Sequence, residues 1–261
     1  MSSLSLSENA LKVLMSTNPY RKCYFTLTIF NQWKNQQITE IGKSISIEYP
    51  GRPIKPTILL PKFMPRRRGL NKKNARIALI HSLAHIELNA IDLAWDIIAR
   101  FNNYNLPLKF YNDWLRVAKE EAIHFLILSK RLQELGASYG DLEAHAGLWD
   151  AAKKTRHNLI YRLAVVPMYF EARGLDISPT MIEKLKNVND EKSANCIKKI
   201  YLDEIDHVKI GEYWFRWICK KSKVDPLETW KYSINKFFRK KIPSQQNNFG
   251  RNKANMSTYL P

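Results

Sequence analysis

Four carboxylates and two histidines recur in this chain as one pattern at nearly one separation. Glu87 precedes Glu121-Ala122-Ile123-His124 by almost the same interval by which Glu171 precedes Glu204-Ile205-Asp206-His207. In each Glu-x-x-His the two side chains occupy adjacent parts of one helical face, so both reach the same way. Each half therefore reads as a helix carrying a carboxylate, a turn, and a helix carrying Glu-x-x-His. In a four-helix bundle this set converges on one central point and suits a pair of transition-metal ions, most often iron. Spacing assigns Glu87, Glu121 and His124 to one metal and Glu171, Glu204 and His207 to the other. Carboxylates with two imidazoles suit iron, manganese or a mixed pair better than the thiolate sites zinc prefers.

The apolar periodicity around these residues gives the pattern its weight. Glu87 sits in the stripe Ile80, Leu83, Ala84, Ile91, Ala94, Ile98, where a leucine is expected. Glu121 and His124 interrupt Trp114, Val117, Ala118, Phe125, Leu128 and Leu132 in the same way. Glu204 and His207 interrupt Ile197, Ile200, Val208, Gly211 and Phe215, and Glu171 follows Leu163, Ala164 and Pro167. A carboxylate on an apolar face is costly unless a cation neutralises it. A lone Glu-x-x-His arises by chance about once in a chain this long. The competing reading is therefore buried or paired acids without a metal.

The elements that must position these residues follow from the same periodicity. Four bundle helices are expected near 75–103, 109–135, 154–174 and 191–221, with Gly136 and Gly174 as C-caps and Asp190 as an N-cap. Pro167, one turn before Glu171, should loosen the third helix there. Ser178-Pro179 should start a short helix ahead of the fourth. This gives an all-α fold in three parts. Residues 1–74 are N-terminal helices and a proline-rich strap over the bundle, residues 75–221 the bundle, and residues 222–261 a basic helix and mobile tail. Ser5 and Glu8 form a capping box. Pro50, Pro53, Pro56, Pro61 and Pro65 keep the strap extended, and its apolar residues Ile54, Ile58, Leu59, Leu60, Phe63 and Met64 should cover the bundle.

Composition bounds the rest. The 261 residues are 45% apolar with 7 Trp, 12 Tyr and 11 Phe, which describes a folded protein with a substantial core. No uninterrupted apolar run reaches the roughly 18 residues a membrane span needs, and the N-terminus lacks a secretory pattern. Three dispersed cysteines suit a reducing cytoplasm. The net charge of +18 is partly clustered, in Lys62, Arg66, Arg67, Arg68, Lys72, Lys73 and Arg76 and again in Lys231, Lys236, Arg239, Lys240, Lys241, Arg251 and Lys253. Such clusters attract nucleic acid or other polyanions. Compositional bias is the competing reading. His81 and His85 point away from Glu87 on the helical wheel and should make surface or interhelical hydrogen bonds. His145 and His157 have no evident role.

The stretch His81 to Asp92, Glu120-Glu121-Ala122-Ile123-His124, Ser138-Tyr139-Gly140-Asp141, Glu171-Ala172-Arg173-Gly174-Leu175-Asp176, Asp203 to His207 and Trp214-Phe215-Arg216-Trp217 resemble the DUF455 family, as does the strap ending Met64-Pro65-Arg66-Arg67-Arg68. The likeness covers the chain to about residue 221 and fades at Asn248-Phe249-Gly250-Arg251. It implies a ferritin-like fold in which Glu121 and Glu204, or Glu87 and Glu171, bridge two metals while each histidine caps one. Ligand histidines usually donate their second N–H to a carboxylate. Asp203 and Glu120 are the candidates for that task, with solvated charges as the alternative. The resemblance also implies dioxygen as a reactant, an electron donor, and distant similarity to the hydroxylases of 2-methylthio-N6-isopentenyladenosine in tRNA. The expected function is thus an oxygen-activating hydroxylase, monomeric or dimeric, on an anionic substrate such as tRNA. Its alternatives are an iron-binding oxidase or storage protein and a metal-free helical adaptor for nucleic acid.

Overall fold

The computed structural model of the chain describes residues 4–65, 69–238, 247–256 and 259. Regular structure among the described residues is helical, apart from a single bridge between Ile58 and Ala144. The chain divides into two units, Met1–Trp149 and Asp150–Pro261.

The first unit opens with α1 (Leu6–Leu14), and the capping box forms as expected: Ser5 N donates to Glu8 Oε2 at 2.8 Å and Glu8 N to Ser5 Oγ at 3.4 Å. After α2 (Pro19–Lys34), the long helices α3 (Lys73–Arg100) and α4 (Leu108–Glu134) form a hairpin, with α1 packed on α3 and α2 on α4. Gly136 takes a φ of +76° just beyond α4, the left-handed conformation of a helix C-cap. By length and composition α3 is apolar enough to cross a membrane, but 67% of its apolar window is buried inside the protein.

The strap is held by polar bonds. Ile45 N donates to Ala99 O at 2.9 Å, Gly51 N to Leu14 O at 2.7 Å and Leu59 N to Ala144 O at 2.8 Å. Arg52 Nη2 donates to Asn89 Oδ1 at 3.0 Å. The expectation that its apolar side chains cover the bundle fails for four of the six, while Leu59 and Met64 are half-buried. Ile54, Ile58, Leu60 and Phe63 are all exposed, because the prolines leave an irregular backbone whose side chains do not share one face.

The second unit departs most from expectation. In place of one helix over 154–174 the chain forms α5 (Gly147–Lys154), α6 (Leu159–Leu163), a π-helical segment (Ala164–Glu171) and α7 (Ala172–Lys186). Pro167 sits inside the π segment. A proline has no N–H for the ladder and strikes the carbonyl four residues back, and the wider π turn relieves both. Gly174 is therefore no cap, and Pro179 lies within α7. Next come α8 (Glu191–Lys221), α9 (Pro226–Phe237) and α10 (Asn248–Lys253). Asp190 caps α8 as expected, accepting from Ser193 N at 3.0 Å. α8 packs on α6, α7 and the π segment. Residues 247–256 do not behave as the expected mobile tail, since α10 packs on α7 and α8.

Candidate metal centre

In the first unit the α3–α4 hairpin sets the register. Glu87 precedes the end of α3 at Arg100 by the same interval by which Glu121 follows the start of α4 at Leu108. At roughly 1.5 Å per residue, both stand about 20 Å from the connection. Glu121 and His124 are fully buried, and Glu87 is 4% exposed. His124 Nδ1 lies 3.3 Å from Glu87 Oε2 and 3.4 Å from Glu121 Oε2. One donor atom from each residue falls within 4.8 Å of the others, a spacing that suits a single cation. Burial, and then the Glu121 carboxylate beside it, hold Glu87 well above the usual carboxylate range. Ile91, Ala118, Ala122 and Phe125 are buried on the same two helices. An apolar seam with two carboxylates and an imidazole could hold a metal ion.

The second unit holds the remaining three residues in a more open setting. His207 is fully buried, with Nδ1 3.6 Å from Glu204 Oε1, and the Glu204 side chain keeps 12% exposure. That separation exceeds a hydrogen bond but suits two ligands of one ion. Glu171 is half-buried at the last position of the π segment. π turns recur at functional sites because the extra residue re-aims a side chain. The structure thus brings Glu87, Glu121 and His124 together and sets Glu204 beside His207.

Of the candidate orienting residues, Asp203 accepts from Lys199 Nζ at 2.8 Å, and Glu120 is half-buried. His81 and His85 are buried rather than on the surface. His81 Nε2 accepts from Gly140 N at 3.0 Å, while His85 meets Tyr139 Oη at 2.8 Å and His145 O at 3.1 Å, so both tie α3 to the loop after α4. Burial pushes the His85 imidazole down to about 3. His145 Nδ1 accepts from Gly147 N at 3.2 Å, and His157 Nε2 from Arg156 Nε at 3.0 Å. Of the basic clusters, Arg66–Arg68 and Arg239–Lys241 lie outside the described residues. Arg251 leaves the second cluster altogether, because it is buried against Asp176.

Sequence reasoning missed two buried ion pairs, Lys22 with Asp92 and Arg251 with Asp176. Their partners lie far apart in the chain, and nothing local signals either pairing.

The comparisons identify the family. The model of DUF455, a family described as proteins of unknown function, matches residues 15–260, so the likeness does not end near residue 221 as expected but runs on through Asn248-Phe249-Gly250-Arg251. A protein of Haemophilus influenzae, described as an uncharacterized protein, is 36% identical over 242 residues, spanning 88% of this chain and 82% of its own length. No solved structure matches. The match over nearly the whole chain, with the paired acid–histidine motifs inside it, establishes that this protein belongs to the DUF455 family.

Proposed function

We propose that the protein has a ferritin-like bundle whose two trios hold two iron ions, and that it is an oxygen-activating hydroxylase. The buried trio Glu87, Glu121 and His124 carries this reading. Two carboxylates in an apolar seam are tolerable when a cation shares them. Glu171, Glu204 and His207 supply the equivalent set by repetition of the motif. Two such ions, when bound, supply the redox chemistry that activates dioxygen. The chain's part is to hold the ligands, with Glu87, Glu121 and His124 shielded from water and Glu171 half-buried. Asp203 and Glu120 enter as orienting residues, with Lys199 taking one oxygen of Asp203.

Aromatic and basic groups on α6, the π segment and α9 support a nucleic-acid substrate. Tyr169 stacks on Phe238 at 4.4 Å, Phe170 meets the same ring at 5.3 Å, and Lys236 lies 4.5 Å from the Tyr161 ring. Rings interleaved with cations suit bases and phosphates. Anaerobic loading with ferrous ions followed by oxygen tests the reading. Stoichiometric oxygen uptake by the protein is expected. Ferrous binding without oxygen uptake would remove the oxygenase.

A further inference from the structure

We infer that the C-terminal segment, residues 247–256 with Tyr259, is a positioning element for the metal ligands of the second unit; this rests on the dimetal reading above. The segment reaches α7 just after Glu171 and α8 on both sides of Glu204 and His207. On α7 the contact is to Asp176, little more than a turn beyond Glu171. Arg251 donates to both its oxygens, Nε to Oδ1 at 2.8 Å and Nη2 to Oδ2 at 2.7 Å, and Asn247 N adds a bond to Oδ1 at 3.0 Å. Both side chains of the pair are nearly sealed from solvent, at 4% and 5% exposure.

The fit extends to the backbone. Pro179 has no N–H, so Leu175 O, one turn earlier in α7, lacks its helical donor. The Asn247 side chain supplies one, with Nδ2 2.9 Å from Leu175 O. The same nitrogen donates to Tyr201 Oη at 2.9 Å, and Tyr201 lies on α8 one turn before Glu204. A side chain on Gly250 would meet Tyr201 Oη at 3.0 Å and Asn247 Nδ2 at 2.9 Å, so glycine permits this approach. Beyond α10, Ala254, Met256 and Tyr259 are buried, and Tyr259 Oη donates to Glu212 Oε1 at 3.3 Å, on the α8 turn that follows His207.

A bidentate ion pair fixes angle as well as distance, and a buried one serves register better than stability. Asn247 and Arg251 thus hold the start of α7 to the middle of α8, the two stretches whose alignment sets Glu171 against Glu204 and His207. None of the tail residues is a metal ligand. Their loss acts through the ligands they align, as with outer partners of metal ligands elsewhere.

The test is titration of the full-length apoprotein with cobalt(II), read by the visible absorption band, whose shape reports ligand geometry. Arg251→Gln should weaken cobalt binding by about 10-fold or more and alter the band. Arg251→Lys, which keeps the charge without the fork, should fall between. Phe249→Ala, at an exposed position of the same helix, should match the unsubstituted chain. Should Arg251→Gln fail to fold, Asn247→Ala, which removes the bonds to Leu175 and Tyr201, gives the same readout. Unchanged affinity and band in folded Arg251→Gln or Asn247→Ala, whatever their melting temperatures, would overturn the inference alone. No cobalt uptake by the unsubstituted chain would overturn the dimetal reading and this inference with it.

Discussion

Gly211 of α8 lies so close to Pro167 of the π segment that a Cβ on Gly211 would stand 2.5 Å from the proline Cβ and 2.8 Å from its Cγ. The proline that widens the turn before Glu171 is seated on the glycine one turn after His207. Gly211→Ala should raise helix propensity by about 1 kcal/mol but incur an overpacking cost of roughly 1–3 kcal/mol. A lower melting temperature is expected, with partial recovery in Gly211→Ala/Pro167→Ala. A variant more stable than the original would show that the contact is looser than described.

Removing one buried carboxylate should separate the two roles of the first trio. Glu121→Gln relieves like-charge crowding on Glu87, so the metal-free variant should melt at or above the metal-free original. With ferrous ions in excess the original should gain about 2–3 kcal/mol, as for a ligand at roughly 100 times its Kd, and the variant should gain little. Scanning calorimetry with and without metal reads both. Equal gains would remove Glu121 from the site.

Periodicity makes this trio legible in the sequence. Glu87, Glu121 and His124 each break an apolar stripe of a long, regular helix, and a residue out of character in a periodic pattern is visible without a fold. The same periodicity locates α3, α4 and α8, and Ser5 and Asp190 announce their caps. Legibility ends where one residue answers to a distant one. Gly174 looks like a cap and Pro179 like a helix start, yet Ser178 Oγ bonds back to Gly174 O at 2.8 Å and Asn247 takes the carbonyl Pro179 leaves open, so α7 runs through both. Arg251 reads as one more charge in a solvated basic tail, and only its distant partner Asp176 makes it a core residue.

The buried pair Lys22 and Asp92 joins α2 to α3, with side chains 3% and 5% exposed. Lys22→Met should cost about 3–5 kcal/mol by leaving Asp92 buried without its counter-ion, whereas Lys22→Met with Asp92→Leu should recover most of it. Denaturant unfolding measures both. A single variant as stable as the original would place the pair in solvent.

Burial pushes the Cys23 thiol up to about 12 and the Cys219 thiol up to about 11, from an ordinary value of 9.0. Folding stability from these protonated thiols is complete below pH 9 and is lost as pH rises through 11 to 12. At about pH 8, iodoacetamide should modify the half-buried Cys196 first and spare the other two until unfolding. Mass spectrometry of the alkylated chain shows the order, and early labelling of Cys23 would contradict its burial.

Metal content per chain tests the central claim most directly, by elemental mass spectrometry on protein made in iron-supplemented medium. About two iron ions per chain are predicted, the number that two carboxylate–histidine trios bind in a dimetal bundle. No bound transition metal, even after anaerobic reconstitution with ferrous ions, would contradict the account and leave the six residues without a metal to hold.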